Sequence, residues 1–259
     1  MVRRMALLIS SGNLNVAGYE DLPGTAMDVE NWKAYLMSPL GGEWIDRDEI
    51  QRFYEPDLET IRAFLRAYKD DYVLVLFSGH GGEDPIGRGG ACERIVCLNR
   101  NELAVPAQEI CPINFGTAIF DCCRTTDEDT VSMEKLGFAN DRMIALNESR
   151  SNNFTQLRNR NLRNVFQMAL ETDPTGIVQM CACSSNETAM ERHDRGMNGG
   201  VYSTLLINGA RRWNRTSSAE PVYYTDDAHA FAERMIPRYA SGQHPEYIPQ
   251  DCRHPFAVK

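Results

Sequence analysis

Short apolar runs alternate with stripes of helical period along most of this chain, and that alternation limits the folds open to it. Ala6 to Ser10, Ile50 to Tyr54, Tyr72 to Phe77, Arg94 to Leu98, Gly116 to Phe120 and Ile177 to Ala182 read as strands. Tyr72-Val73-Leu74-Val75-Leu76-Phe77 is apolar at every position, which suits a strand covered on both faces. Between these runs, Val29, Trp32 and Leu36 recur at helix spacing. Ile61, Phe64, Leu65 and Tyr68 do the same behind Asp57, which sits where an N-cap is expected. Tyr202 to Asn208 and Ala228 to Met235 supply two more helices, the second stopped by Pro237. Strand-helix repetition of this kind predicts an α/β fold, a mostly parallel sheet with helices on both faces.

Composition narrows the class further. The 259 residues carry 27 Lys plus Arg against 36 Asp plus Glu, a net charge of −9, with 42% hydrophobic residues. That excludes a collagen-like or disordered chain and argues against a nucleic-acid partner. Eight cysteines are too sparse for a disulfide scaffold and are read as thiols. The apolar run Met5 to Ile9 is shorter than the roughly 7–15 residues of a secretory signal. No window reaches the ~18 apolar residues of a membrane span, so no membrane partner and a cytoplasmic location are expected.

Two strand ends carry reactive groups. Phe77-Ser78-Gly79-His80-Gly81-Gly82 follows one strand, and Phe120-Asp121-Cys122-Cys123-Arg124 follows another. In an open parallel sheet, ligands bind beyond the carboxyl ends of the strands, so His80 and a cysteine face each other if these strands are neighbours. An imidazole beside a thiol raises its thiolate fraction and makes it a nucleophile. The backbone N–H groups of Gly81 and of the nucleophile itself are then placed to form an oxyanion hole. Taken singly each motif has a bland explanation, a structural histidine or packing thiols.

Together these segments resemble the catalytic pair of caspase-like cysteine peptidases, and the separation of His80 from Cys123 is close to the roughly 50 residues of caspases. Ala6 to Ile9 is similar to the family's first strand, Gly24 to Asn31 to the start of its first helix, and Pro255 to Val258 to the closing strand of metacaspase and bacterial caspase-like domains. The resemblance implies a three-layer fold with a mostly parallel central sheet of about six strands. It implies one domain over residues 1–259: a large-subunit-like segment over residues 1–124, a linker or activation-loop insertion over 125–175, and a small-subunit-like segment over 176–259. His80 matches the catalytic histidine, which also protonates the leaving amine. Cys123, directly before Arg124, matches the nucleophile; an extended backbone points Cys122 the other way.

The same resemblance bears on specificity. Caspases that cut after Asp carry an Arg where this chain has Leu22 and a Gln where it has Asp121. Metacaspases cut after Arg or Lys with two aspartates, matching Asp28 and Asp121, and Ser78 matches a serine lining that pocket. A protein or peptide substrate with a basic P1 residue is therefore expected, since a desolvated acid pair rejects an Asp side chain. Thr25-x-x-Asp28 also reads as a capping box, a role that needs no substrate. In the insertion, which is polar over about 50 residues with only Val165 to Leu170 helical in pattern, Arg150, Arg158, Arg160 and Arg163 stand either as P1 sites in a zymogen cut by itself or by an upstream protease, or as a solvated face. Glu83, Asp84 and Glu93 are too thin a cluster to predict calcium, and Cys181-Ala182-Cys183 reads as core; no cofactor or metal is expected. The alternative function is a catalytically silent caspase-fold protein that binds peptides or partners. A thiol redox module is disfavoured, because Cys122 and Cys123 lack Cys-x-x-Cys spacing.

Overall fold

The computed structural model describes residues 2–85, 92–125, 155–172, 176–193, 197–249 and 251–259, with side chains of the helix at 155–172 described from Leu162 on. In chain order the regular elements begin with β1 (Arg4–Ser11), α1 (Gly24–Met37), β2 (Ile50–Tyr54), α2 (Leu58–Ala67) and β3 (Tyr72–Gly79). β4 (Gly81–Asp84), β5 (Glu93–Val96), β6 (Val105–Pro106) and β7 (Phe115–Asp121) follow. Then come α3 (Thr155–Thr172), β8 (Gly176–Cys181), β9 (Glu191–Arg192), β10 (Gly199–Gly200) and α4 (Val201–Asn214). The chain closes with β11 (Val222–Tyr224), α5 (Thr225–Met235), β12 (Glu246–Ile248) and β13 (Pro255–Val258).

Six strands form the central sheet in the order β12-β8-β7-β3-β1-β2. Five are parallel, and only the edge strand β12 runs antiparallel, against β8. β1 and β3 are buried at all eight positions each, as strands covered on both faces must be. Alternation along β1 divides the core: Ala6 and Leu8 pack on one face, Met5, Leu7 and Ile9 on the other. The first face receives Val29, Trp32 and Leu36 of α1, Phe166 and Leu170 of α3, Leu205 and Leu206 of α4, and Ala228 and Ala232 of α5. The second receives Ile61, Phe64 and Leu65 of α2. Helices thus cover both faces, as the sequence pattern predicts.

Several elements differ from the sequence reading. The strand at Arg94 to Leu98 is β5, and it pairs antiparallel with β4 and β6 in a small separate sheet. The sixth central strand is instead β12, three residues long and without readable periodicity. The closing strand β13 pairs with β11, outside the central sheet. Asp57 occupies the N-cap position of α2, but its side chain makes no capping bond; the Leu58 N–H donates to Glu102 instead (2.9 Å). α3 spans 18 residues rather than the short helix expected within the insertion.

α3 is seated on the N-terminal part of the chain by an aromatic anchor at Phe166 and an ion pair at Arg163, among other contacts. Phe166 is 1% exposed, lies edge-on to Trp44 at 5.9 Å and sits beneath the buried Arg4 guanidinium. The Arg163 guanidinium reaches the Glu49 carboxylate and the Glu43 carbonyl. Truncating Phe166 to Ala is expected to cost about 3–5 kcal/mol in the midpoint-derived unfolding free energy from a denaturant titration. Met168→Ala on the exposed side of the same helix is expected to change it by less than about 0.5 kcal/mol. Equal losses would show that α3 is not held by this face.

Candidate active site

The pairing of β3 with β7 sets the site. Phe77 stands opposite Phe120 and Ser78 opposite Asp121, so His80 and Cys123, each two residues further on, leave the sheet at the same end on neighbouring strands. Backbone bonds hold the histidine end: the His80 N–H donates to the Ser11 carbonyl (3.3 Å), and its own carbonyl accepts from the Cys97 N–H (3.0 Å). Gly81 must be glycine, because a Cβ there would stand 2.8 Å from the Cys122 sulfur and 2.9 Å from the Cys123 carbonyl oxygen. The loop after His80 and the loop carrying the two cysteines are therefore in direct contact.

His80 Nε2 lies 2.7 Å from the Glu20 carbonyl oxygen. A carbonyl only accepts, so this nitrogen carries the proton and the neutral ring keeps its lone pair on Nδ1. Burial lowers the His80 pKa, opposed by the Glu20 carbonyl and by the nearby Asp21 and Glu20 charges. Cys123 is partly accessible, and its Sγ is 3.7 Å from the Ala189 carbonyl oxygen. Burial raises its pKa. Both shifts, caused chiefly by burial, favour the uncharged forms of the thiol and the imidazole. Cys122 points to the opposite face as expected, is 1% exposed among the α2-side core residues, and its thiol is pushed well up by burial.

Asp28 and Asp121 meet beneath the start of α4. The Asp28 carboxylate accepts from Ser78 Oγ (2.7 Å), Ser203 Oγ (2.8 Å) and the Gly200 N–H, which lies 3.0 Å from each oxygen. The Asp121 carboxylate accepts from the Ser203 N–H (2.8 Å). Both carboxyls are buried and held well above their ordinary range by desolvation; the Asp28 charge adds to this at Asp121, and Glu191 acts on both. The Asp28 side chain makes these bonds rather than a capping box, and the Thr25 hydroxyl donates to the Leu22 carbonyl (2.9 Å), so α1 has no side-chain cap. Glu191 and Ser203 were not singled out from the sequence. The pair of glycines just before a helix, Gly199-Gly200, is the local signal that marks their neighbourhood.

Arg124 anchors the segment that carries Cys123. Its guanidinium bridges Glu83 (3.0 Å) and Glu246 (3.1 Å), its N–H donates to the Glu187 carbonyl (2.8 Å), and its carbonyl accepts from the Asn186 N–H (2.7 Å). Glu83, one of the acidic residues considered for calcium, is committed to Arg124 and to the Ser185 hydroxyl. Among the described residues no group of three His, Cys, Asp or Glu side chains is arranged to hold a metal. Among them too, no helix is long and apolar enough to cross a membrane. Cys181 and Cys183 are buried. Of the four arginines considered for cleavage, Arg150 lies outside the described residues, Arg158 and Arg160 lie on the α3 backbone, and Arg163 is bound to Glu49.

Comparison with known proteins follows this geometry. Residues 3–255 match the family described as Caspase domain. The crystal structure of caspase-1 from Spodoptera frugiperda is similar with a TM-score of 0.57 at 11% identity, covering 100% of this chain and 93% of that one. The structure of pro-sf-caspase-1 gives 0.52 at 12% identity, covering 100% and 92%. At these identities the likeness speaks for the fold. No curated protein matches the chain. With a family match over nearly its whole length and the central sheet of that fold, this chain belongs to the caspase-domain family of cysteine peptidases.

Proposed function

We propose that this chain is an active cysteine endopeptidase that cuts peptide bonds after Arg or Lys, the specificity of metacaspase-like members. The reading is supported by the β3–β7 register, which pairs Ser78 with Asp121 and carries His80 and Cys123 out at the same end of neighbouring strands. In this reading the one pairing serves both a nucleophile with its base and a wall of an acidic pocket.

The chemistry follows from the protonation states. As the Cys123 sulfur attacks the substrate carbonyl, its proton passes to Nδ1 of His80, and the Glu20 carbonyl steadies the imidazolium through Nε2–H. The oxyanion is received by the N–H groups of Gly81 and Cys123. His80 then protonates the leaving amine, and water releases the acyl group from sulfur. For the P1 side chain, Asp28, Asp121 and Glu191 provide negative charge in a desolvated place where a guanidinium or ammonium is favoured and a carboxylate repelled. In our reading the 125–175 insertion regulates activity through cleavage or reordering.

An Arg- or Lys-directed electrophilic peptide is expected to label the protein once. Cys123→Ala removes the label and Cys122→Ala keeps it; the reverse pattern would reassign the nucleophile, and labelling only by an Asp-directed probe would overturn the specificity. No labelling by any of these probes would favour a silent binding protein. Mass spectrometry of the wild type and Cys123→Ala after incubation is expected to show self-cleavage after Arg in the first alone. Protein that stays uncut and fully active would end the zymogen reading.

Charge in the pocket also has a pH signature. The Asp28 and Asp121 carboxyls are raised from 3.8 to about 6 and about 7, so both gain protons as pH falls through that window. Competitive inhibition by a small guanidinium compound should therefore weaken as pH drops from 8 to 6. Asp121→Asn is expected to lose at least about thirtyfold in kcat/KM for basic substrates, from the roughly 2–5 kcal/mol of a buried charge partner. Groups raised in the folded state stabilise fully below their unfolded value and lose that contribution as pH rises through the folded one. Asp121→Asn should thus raise the melting temperature, more at pH 8 than at pH 5. A variant no more stable at pH 8 than the wild type would show that the pair carries no desolvation strain.

A further inference from the structure

The loop between β1 and α1 presents an aromatic ring to the histidine, a contact that the chemistry above does not use. Tyr19 and His80 have ring centroids 5.1 Å apart at an interplanar angle of 85°, an edge-to-face pair. The next residue, Glu20, supplies the carbonyl that accepts from His80 Nε2. Two adjacent residues of one loop therefore grip the imidazole, one through its polar edge and one through its plane.

The loop is built to hold that grip. The Leu22 N–H donates to the Gly12 carbonyl (2.9 Å), closing the loop at its base, and the Tyr19 N–H donates to the Val16 carbonyl (3.2 Å) in a tight turn. Asn15 and Gly18 take left-handed conformations, with φ of 53° and 93°, and Gly18 does so without a Cβ penalty directly before the tyrosine. At the far end of the ring, the Tyr19 hydroxyl is 3.9 Å from the Cys97 sulfur. Cys97 in turn donates its backbone N–H to the His80 carbonyl, so it touches both members of the pair.

We propose that Tyr19 is a positioning residue for His80: its ring fixes the imidazole plane so that Nε2 stays on the Glu20 carbonyl and Nδ1 stays turned to the Cys123 side. An imidazole free to rotate about its side-chain bonds would exchange that carbonyl for water and present the wrong nitrogen to the thiol. Near-attack geometry of this kind governs the rate of a proton transfer rather than substrate affinity. The ring packs against an imidazole that is itself only half-exposed. Among the described residues, the titratable groups facing His80 are Tyr19, Glu20 and Asp21 on the loop and Cys97 after β5, while Cys122 and Cys123 after β7 meet the adjoining Gly81. This role presupposes that His80 acts on Cys123, as in the reading above.

The test uses the full chain with Tyr19→Phe, Tyr19→Leu and Tyr19→Ala, after thermal melts show each variant folded. Two readouts are taken: turnover of an Arg-containing peptide, and the pH dependence of Cys123 alkylation by iodoacetamide, located by mass spectrometry. Tyr19→Phe is expected within about twofold of wild type, because the ring remains. Tyr19→Leu and Tyr19→Ala are expected to lower kcat about tenfold with KM nearly unchanged. Water admitted to the imidazole should move the acid limb of both pH profiles to higher pH in these two variants, since burial is what lowers the His80 pKa. Unchanged kcat and unchanged profiles in Tyr19→Ala would overturn the proposal. So would a rise in KM alone, which would make Tyr19 a substrate contact, or a Tyr19→Phe variant as slow as Tyr19→Ala. If the wild type turns over no peptide, the peptidase reading fails, while the alkylation profiles still decide whether Tyr19 positions His80.

Discussion

Everything at this site depends on the hydrogen-bonded register between β3 and β7. Parallel strands fix side-chain positions in pairs, and a slip by one residue would turn every side chain to the opposite face. Such a slip would send Cys123 toward the α2-side core and bring Cys122 into the cleft. The register is protected because both strands are buried on both faces, with Leu76 and Ile119 on one side and Phe77 and Phe120 on the other. Exchanging those sets across two packed layers would force close-packed interiors to rebuild at once. The rigidity of the centre of the sheet is what lets two loops at its end keep an imidazole and a thiol in a fixed relation.

Burial of two carboxylates beside each other opposes that stability. Asp28 and Asp121 collect bonds from Ser78, Ser203 and Gly200, which satisfy their oxygens without removing the cost of desolvating charge. Much of this set comes from the start of α4, reached only after the chain has traversed the insertion and β8. The carboxylate pair is therefore assembled from both halves of the sequence, and under the proposed function its desolvated charge is what a cationic side chain would relieve. Functional sites commonly hold such unfavourable arrangements because the surrounding fold over-determines them.

Arg124 performs the corresponding task for the segment that carries Cys123. It is the residue directly after Cys123, and it joins three otherwise separate pieces: the β4 strand through Glu83, the edge strand β12 through Glu246, and the loop after β8 through Glu187. Arg94 from β5 shares Glu246 (3.3 Å). A guanidinium with several directed donors suits this bridging, which a lysine ammonium would not reproduce. The small β4-β5-β6 sheet and the edge strand, peripheral in the topology, are thereby tied to the reacting end of the central sheet.

The amino-acid sequence by itself determined the central strands β1, β2, β3, β7 and β8, the faces that α1 and α2 bury, and the placing of His80 and Cys123 at strand ends. All of these depend on local period and on residue types with few alternative uses. Only the tertiary structure decided that β5 joins a side sheet, that β12 closes the central one, and that α3 continues for 18 residues. Three residues of strand carry no period, and Gly81-Gly82, which begin β4, look in sequence like any glycine-rich turn. Asp28 was legible as either a helix cap or a pocket wall. Ser203 and Gly200, more than 170 residues away, take its oxygens, and α1 has no side-chain cap. Tyr19, Glu20 and Glu191 stayed silent, and Glu83 spoke only as a thin acidic cluster, for the same reason: what each does is defined by a partner that only folding brings near.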